Sequence, residues 1–176
     1  MLYEIKNASD KRLRRSPVWY GIIIHHSSTG NKKISTDSMW QKLTDNILSY
    51  LIKKDENYVS AHYMIDRRGI VSQLVDPAEY EAFHAGDSSW WLPSERKFVT
   101  DINKYAVGIE LIGDGNLYDY AELQYLSLIE LCKMLITLHP TIHPHCIVGH
   151  EMISIGRKVD PGINFNWRRL FKGIYK

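Results

Sequence analysis

The chain is organised around residues 149–162, which read Gly-His-Glu-Met-Ile-Ser-Ile-Gly-Arg-Lys-Val-Asp-Pro-Gly. His150 follows a short apolar run, and Asp160 stands directly before Pro-Gly. Imidazole nitrogens and carboxylate oxygens both bind zinc at roughly 2.0–2.2 Å. A loop of this length can bring the two side chains to one ion. The stretch therefore predicts part of a metal site.

The pair His25-His26 is the natural partner of this stretch, because it directly follows the apolar run Gly-Ile-Ile-Ile at 21–24. Successive side chains of a strand point to opposite faces, so only one of the two histidines can continue a given face. Two histidines and one carboxylate would leave a fourth ligand position open. That layout is typical of a catalytic zinc site and not of a closed structural one.

Length and composition predict one soluble domain. The chain has 176 residues, of which 44% are hydrophobic and 24% charged, as in ordinary globular proteins. A net charge of +2 gives no bulk attraction to polyanions, so we expect no nucleic acid partner. There is no apolar run of membrane-spanning length and no apolar signal segment at the N-terminus. We expect cytoplasmic synthesis, a monomer, no membrane insertion, and free thiols at Cys132 and Cys146.

Residues 1–17 are predicted to form an N-terminal arm, with the domain occupying 18–176. The basic cluster Lys-Arg-Leu-Arg-Arg at 11–15 lies in this segment. A solvated arm explains the cluster, and so does an electrostatic contact with an anionic polymer. Five residues do not separate the two explanations.

The remaining pattern predicts an α/β fold. Strands are expected at 18–24, 59–65, 70–75, 106–112 and 146–148. Helices are expected from Ser35 or Thr36 to about Lys53, from a capping-box sequence at 119–122 to His139, and from Asn164 or Asn166 onward. Because strands and helices do not alternate strictly, we predict a single domain with a mixed central β-sheet of about five strands and helices packed on it.

Two features in the middle of the chain are candidates for function. Glu110 lies within the apolar strand at 106–112, and carboxylates are seldom buried unless they are paired or functional. Trp90 and Trp91 lie in a polar segment, 79–93, that is predicted to be a loop. They either pin this loop to the core or form an exposed platform for a ligand.

Five blocks of the sequence, in this order, resemble the zinc-dependent N-acetylmuramoyl-L-alanine amidases of the type 2 family. This family includes phage endolysin amidases, the cytosolic anhydromuropeptide recycling amidase and the peptidoglycan recognition proteins. The resemblance extends from about Val18 to Leu170. The blocks are Ile-Ile-His-His-Ser-Ser at 23–28, Ser-Ala-His-Tyr-Met-Ile-Asp at 60–66, Phe-His-Ala-Gly at 83–86, Val-Gly-Ile-Glu-Leu at 107–111 and Gly-His…Gly-Arg-Lys-Val-Asp-Pro-Gly at 149–162.

The resemblance implies one zinc ion per chain, with His25, His150 and Asp160 as ligands. The neighbouring His26 is the alternative to His25. The resemblance also implies a transition-state lysine at Lys158 and a general base at Glu110. Other members place a tyrosine just before the histidine that matches His62. This chain has Ala61 there, which favours Glu110 as the base.

The implied reaction is hydrolysis of the amide bond between N-acetylmuramic acid and L-alanine, in peptidoglycan or its fragments. His62, His84, Trp90 and Trp91 are expected to contact the substrate, although the two histidines would otherwise pack behind the metal ligands. The alternative function is a non-catalytic peptidoglycan-binding module of the same fold. Because every ligand position is filled, the enzyme is favoured. The sequence leaves open whether intact wall or anhydromuropeptide is cut, and whether the enzyme is resident or a phage or prophage lysin.

Overall fold

The computed structural model describes residues 2–9, 11–14, 18–27, 33–53 and 59–176. Within these ranges the helices are α1 (Asp37–Ile52), α2 (Glu122–Leu138), α3 (His150–Ile153) and α4 (Trp167–Ile174), with 3-10 turns at Ile102–Lys104 and Pro144–Cys146. The strands are β1 (Leu2–Ile5), β2 (Lys11–Leu13), β3 (Gly21–Ser27), β4 (Tyr63–Ile65), β5 (Ile70–Gln73), β6 (Tyr80–Ala82), β7 (Ser89–Leu92), β8 (Lys97–Thr100), β9 (Ala106–Ile112) and β10 (Ile147–Gly149).

A mixed six-stranded sheet forms the centre, in the order β1-β5-β4-β9-β3-β10. Strand β3 runs parallel to both β9 and β10, and β9 runs parallel to β4, whereas β4 and β5 form an antiparallel hairpin. The hairpin turns at Gly69, whose φ of +79° suits glycine. The central strands β3 and β9 are buried along almost their whole length, as expected for strands covered on both faces.

Alternation along β3 and β9 separates two sides of the sheet. Ile24 and Ile109 face the cluster that contains the buried side chains of α2 and α4. Ile23 faces the opposite side, where it packs with residues of the β7–β8 hairpin. By the two-residue period, His25 and Glu110 belong to this opposite side. The site therefore lies on the face of the sheet that α2 does not cover.

Most of the predicted elements are confirmed, including the caps of α1 and α4. The capping box predicted at 119–122 is wrong, because α2 begins after Ala121, whose N–H donates to Oε1 of Gln124 at 3.0 Å. The side chain of Thr36 accepts a hydrogen bond from the Met39 N–H at 3.3 Å and begins α1. The side chain of Asn166 accepts one from the Arg169 N–H at 2.8 Å and begins α4. The predicted strand at 59–65 is shorter than expected, because Ser60 leaves the sheet and bonds to the backbone of Phe83.

The expectation of a separate N-terminal arm is wrong for its described residues; the end of the predicted arm, 15–17, lies outside them. Strand β1 pairs in parallel with β5 and supplies the sixth strand of the sheet, one more than predicted. Strand β2 pairs with β6, and Arg12 forms ion pairs with the buried Glu81 and with Asp101. Local charge predicts an arm, whereas pairing with strands about 70 residues away sets the position of this segment.

The segment at 79–93, predicted to be a loop, contains the whole of β6 and β7. Its polar composition indicates a loop, but β6 pairs with β2 and β7 pairs with β8. Both strands are short, and each lies in a two-stranded sheet outside the central one. Neither strand needs a continuous apolar run, because β7 is largely exposed and the buried Glu81 of β6 pairs with Arg12.

Two other expectations concern membranes and thiols. None of the described helices combines the length and apolarity needed to cross a bilayer. Cys132 is buried within α2 and Cys146 is partly buried, and both are free thiols, as predicted.

Candidate metal centre and active site

Three side chains converge at one end of the sheet. The Nδ1 atoms of His25 and His150 lie 3.0 Å apart, and they lie 3.2 and 3.1 Å, respectively, from Oδ2 of Asp160. Tetrahedral ligands at roughly 2.0–2.1 Å from a zinc ion are separated by about 3.3 Å. The triangle is therefore close to the size that one zinc ion requires, and all three side chains are buried.

Neighbouring strand ends create this convergence. His25 lies near the end of β3, directly opposite Glu110 of β9. His150 is the first residue of α3, immediately after β10, which lies on the other side of β3. The loop after α3 returns Asp160 to the same point, where its carbonyl oxygen accepts a hydrogen bond from the Glu151 N–H at 3.0 Å.

Backbone carbonyl groups set the tautomers of the histidines. Nε2 of His150 lies 3.0 Å from the carbonyl oxygen of Ala85, so it carries the hydrogen and leaves the Nδ1 lone pair facing the triangle. Nε2 of His84 donates in the same way to Ala106 at 3.0 Å. Nδ1 of His84 then accepts from Nε2–H of His25 at 2.9 Å, which leaves the His25 Nδ1 lone pair facing the triangle too. Such outer hydrogen bonds orient metal-binding histidines in many proteins.

The charges of these groups also suit a divalent cation. Burial lowers the pKa of His25 to about 4, so its ring is neutral at pH 7. With these tautomers neither Nδ1 has a hydrogen to donate to Asp160, whose Oδ2 lies 3.2 and 3.1 Å from the two nitrogens. Two imidazole lone pairs and a carboxylate would thus face one another in a buried space. A cation between them stabilises this arrangement, so the donor set fits zinc.

The predicted catalytic pair lines the same cavity, which encloses about 400 Å³. Oε2 of Glu110 accepts a hydrogen bond from the Ser27 hydroxyl at 3.0 Å. Burial and the charge of Asp160 raise the pKa of Glu110 to about 7. Lys158 follows α3, and its charge partly offsets the rise in the pKa of Glu110 and adds to the fall in the pKa of His25. A carboxyl group and an ammonium group therefore stand beside the triangle, as general acid–base chemistry requires.

His26 does not take part in the triangle. Its ring lies on the opposite side of β3, where Nδ1 accepts a hydrogen bond from the Gly115 N–H at 3.1 Å. The direction of the side chain at this strand position therefore favours His25 over His26 as the candidate ligand.

His62 and His84, which were expected to contact the substrate, are engaged in hydrogen bonds within the protein. The ring of His62 is fully buried, with Nδ1 accepting from the Gly108 N–H and Nε2 donating to the Tyr80 carbonyl oxygen. The prediction that His62 contacts substrate is therefore wrong in this structure. His84 lines the cavity, but both of its ring nitrogens are engaged by His25 and Ala106. It orients a candidate ligand, and no ring nitrogen is left for substrate.

Trp90 and Trp91, for which the sequence left open a packing role or an exposed position, differ in burial. Trp90 packs within the cluster around Ile23, against Gly21, where a Cβ atom would come within 2.4 Å of the indole ring. Trp91 is exposed, and its ring meets that of Phe98 edge to face, with centroids 5.2 Å apart. Trp90 therefore pins the β7–β8 hairpin, whereas Trp91 has the exposure that a platform for a ligand requires.

A second depression, which we call the aromatic groove, adjoins the metal cavity. It encloses about 970 Å³ and shares Gly86 and Arg157 with the cavity. The residues lining the aromatic groove are Gly86, Asp87, Ser88, Ser89, Trp90, Trp91, Phe98, Thr100, Asp101, Met152, Ile153, Ser154, Ile155 and Arg157.

Two structural residues of the site were not predicted. Arg157 donates from Nη2 to the carbonyl oxygens of Ala85 and Asp87 at 3.1 and 2.7 Å, which ties the loop after α3 to the loop before β7. The amide oxygen of Asn103 accepts from the N–H groups of His84 and Ala85 at 2.9 and 2.8 Å. Arg157 stands beside Lys158 within the organising stretch, which is its only signal in the sequence. Asn103 has none.

Comparisons with known proteins identify the family of this chain. The profile of the N-acetylmuramoyl-L-alanine amidase family matches residues 14–163. The chain is similar to AmpD of Haemophilus influenzae, a 1,6-anhydro-N-acetylmuramyl-L-alanine amidase, with 34% identity over 157 residues, 87% of this chain and 81% of that protein.

Two solved structures are also similar. A selenomethionine derivative of AmpD superposes with a TM-score of 0.78 and 25% identity, over 98% of this chain and 94% of the other. Escherichia coli AmiD in complex with its substrate, anhydro-N-acetylmuramic acid-L-Ala-D-γ-Glu-L-Lys, gives a TM-score of 0.66 and 26% identity, over 92% of this chain and 60% of that one. The family profile covers most of the chain, and the fold and the convergent histidines and aspartate are consistent with it. The chain therefore belongs to the N-acetylmuramoyl-L-alanine amidase family.

Proposed function

We propose that this amidase uses one zinc ion, held by His25, His150 and Asp160, to hydrolyse the amide bond between the lactyl group of N-acetylmuramic acid and L-alanine. Its membership of the family makes it an amidase of peptidoglycan or peptidoglycan fragments. The main support for a zinc-dependent reaction is the triangle formed by two Nδ1 atoms and Oδ2. Its sides measure 3.0–3.2 Å, and it lies beside Glu110 and Lys158.

Glu110 acts as the general base. A zinc ion in this position supplies Lewis acidity toward water and toward a carbonyl oxygen. The Ser27 hydroxyl orients the Glu110 carboxylate at 3.0 Å. Burial raises the pKa of this group to about 7 in the metal-free protein, and a carboxylate placed beside the metal can take up and release a proton. It takes the proton of the attacking water and later delivers it to the leaving amine of L-alanine.

Lys158 stabilises the negative charge that develops on the carbonyl oxygen during attack. Its backbone N–H bonds to the Ser154 carbonyl oxygen at 3.1 Å, which holds the loop after α3 against the cavity wall. In the metal-free protein its ammonium charge already acts on both neighbours, since it opposes the rise in the pKa of Glu110 and adds to the fall in the pKa of His25. The same positive charge can therefore stabilise an oxyanion that forms in the cavity near Glu110 and His25.

Anhydromuropeptides are the proposed substrates. AmpD of H. influenzae is named for 1,6-anhydro-N-acetylmuramyl-L-alanine, and AmiD was solved with an anhydromuropeptide. Soluble fragments of this kind match an enzyme of peptidoglycan recycling that works inside the cell, where thiols such as Cys132 and Cys146 stay reduced. The alternative of a phage or prophage lysin finds no support in these relatives.

The test combines metal analysis with product analysis. Purified protein should contain about one zinc ion per chain and should release L-alanine-headed peptide from anhydromuropeptide, detected by labelling of the new amine. Intact sacculi, assayed in parallel, should release less. A protein that holds zinc and binds muropeptide without releasing any amine would instead be the non-catalytic binding module. A full zinc load in a His150→Ala/Asp160→Ala variant would contradict the proposed ligands.

A further inference from the structure

The β9–α2 loop, residues 113–120, takes no part in the mechanism above, yet it packs against the turn that carries Asp160. The loop directly follows β9, the strand that contains Glu110. Hydrogen bonds join it to residues 161–164, which come directly after Asp160. The loop therefore connects the candidate base, through the chain itself, to a candidate metal ligand.

A short hydrogen bond from a buried hydroxyl joins the loop to the residue after Asp160. The Tyr120 hydroxyl donates to the carbonyl oxygen of Pro161 at 2.7 Å. Nδ1 of His26 lies 3.2 Å from the same oxygen, but it accepts a hydrogen bond from the Gly115 N–H and has no hydrogen to donate. A buried carbonyl group that loses its partner destabilises the fold. The Tyr120 hydroxyl therefore supplies the hydrogen bond that this oxygen requires.

Close backbone packing at two glycines fixes the same contact. Gly162 has a φ of +91°, and a Cβ atom there would overlap the backbone of Gly115 and Asn116. A Cβ atom on Gly115 would likewise overlap the carbonyl oxygen of Pro161. The loop thus holds the turn at the level of the backbone. Two more hydrogen bonds cross the contact, from the Asn164 N–H to the Gly115 carbonyl oxygen at 2.8 Å and from the Ile163 N–H to Oδ1 of Asn116 at 3.3 Å.

These contacts act on Asp160 because the backbone between them has little freedom. The carbonyl oxygen of Asp160 accepts a hydrogen bond from the Glu151 N–H of α3 at 3.0 Å, and the next carbonyl oxygen, that of Pro161, accepts one from Tyr120. A peptide bond is planar and the φ of proline is fixed, so one soft torsion separates the two held groups. The carboxylate of Asp160 branches from the Cα atom next to the first of them. Its position therefore depends on both anchors.

We propose that Tyr120 is a positioning residue for the metal centre. Its hydroxyl, acting through the carbonyl group of Pro161, holds Asp160 where the proposed zinc ion requires a carboxylate. This inference rests on the proposed function, which makes Asp160 a ligand. Because the β9–α2 loop continues the strand of Glu110, the same segment sets the spacing between the base and this ligand.

Tyr120→Phe tests the inference, because it removes one hydroxyl and keeps the ring that packs against Phe165. Zinc affinity, measured by competition with a chelator, should fall by about 10–100-fold, the usual effect of an outer hydrogen bond to a metal ligand. Excess zinc should restore most of the activity. Tyr125→Phe is the matched control, since its hydroxyl also bonds to the backbone, accepting from the N–H of Asn166 at 2.6 Å, where α4 begins. It should lose stability and keep the zinc affinity of the wild type.

Amide hydrogen exchange in the metal-free protein measures how firmly the turn is held without zinc. The N–H groups of Glu151 and Asn164 bond to the carbonyl oxygens of Asp160 and Gly115, respectively. In Tyr120→Phe both should exchange faster relative to the amides of α2, whereas in Tyr125→Phe they should not.

Asn116→Ala serves if Tyr120→Phe does not fold. It removes a partly exposed amide side chain, and with it the hydrogen bond to the N–H of Ile163. Zinc affinity and exchange should change in the same direction as in Tyr120→Phe, and by less.

The outcomes separate this inference from the proposed reaction. Unchanged zinc affinity and unchanged exchange in Tyr120→Phe, or an equal loss of affinity in Tyr125→Phe, would overturn the role of Tyr120. Faster exchange in Tyr120→Phe together with a full zinc load in Asp160→Ala would mean that Tyr120 holds the turn but that the proposed ligand set is wrong. Loss of zinc in Asp160→Ala with wild-type affinity in Tyr120→Phe would keep the ligand set and overturn the inference.

Discussion

The metal cavity and the aromatic groove share a border but are built in opposite ways. In the cavity, His25, His150 and Asp160 are buried, and the histidines are oriented by backbone carbonyl groups. In the groove, Trp91 and Phe98 are exposed on a two-stranded hairpin, where their rings meet edge to face. Burial and hydrogen bonding hold ligand atoms to the accuracy that chemistry needs. An exposed aromatic surface does not fix atoms to this accuracy, so it suits contact with a part of the substrate that does not react.

Removing one candidate zinc ligand from the metal cavity should have the largest effect on activity. His25→Ala should lose zinc and activity together, because two donors cannot hold a catalytic zinc ion. His26→Ala is the matched control, since its ring lies on the other side of β3, and it should keep zinc. Elemental analysis and amine release measure both. Zinc retained in His25→Ala but lost in His26→Ala would reverse the assignment.

Glu110→Gln tests whether the cavity does chemistry beyond holding a metal ion. The amide keeps the shape and the contact with Ser27 but cannot accept a proton. We expect hydrolysis to fall by about 10²–10⁴-fold, the contribution of a positioned general base, with zinc content unchanged. Single-turnover assays at saturating substrate measure the chemical step. Near-wild-type turnover would assign the base to another group.

Lys158→Met tests the electrostatic part of the same cavity. The variant keeps an apolar stem of similar length and removes the charge opposite the developing oxyanion. A loss of about 10²–10³-fold in kcat is expected, the magnitude typical of one oxyanion-stabilising donor. Zinc content and KM should change little. If KM rises while kcat is preserved, Lys158 binds substrate and does not stabilise the transition state.

His84→Phe tests whether the hydrogen bonds from Ala106 through His84 orient the candidate ligand His25. The phenyl ring retains the packing over Gly108 but removes the acceptor for Nε2–H of His25. We expect zinc affinity to weaken by about 10–100-fold, as for other outer hydrogen bonds to metal ligands, measured by competition with a chelator. His62→Phe is the control, because His62 is equally buried but its ring nitrogens bond to backbone groups. It should lose stability and keep zinc affinity.

The smallest effect is expected in the pH dependence of stability of the metal-free protein. Burial raises the pKa of Glu110 from 4.5 to about 7. The stabilising contribution of the protonated group is then fully present below pH 4.5 and is lost as the pH rises through 7. The wild type should therefore lose stability relative to Glu110→Gln over this interval in urea titrations. Saturating zinc should reduce the difference, because a nearby cation stabilises the carboxylate.

Much of the site is predictable because its signals are local in the sequence. Apolar β-branched runs predict β3 and β9, and the polar side chains of His25 and Glu110 stand out within or directly after those runs. Thr36 and Asn166 begin their helices because cap chemistry depends on residues three positions away. The stretch at 149–162 supplies His150 and Asp160 as candidate ligands, and the resemblance to a family in five ordered blocks adds His25 in preference to His26.

The sequence by itself determined which residue types stand at strand ends and which segments form helices, because a two-residue or 3.6-residue period is a property of a short stretch. Only the tertiary structure decided that β1 and β2 join the folded unit, since their partners β5 and β6 lie about 70 residues away. It also decided that His62 faces the core, that His84 supports His25, and that Trp90 pins the hairpin while Trp91 stays exposed. Hydrogen bonds and burial between distant segments settle such roles, and no local pattern encodes them.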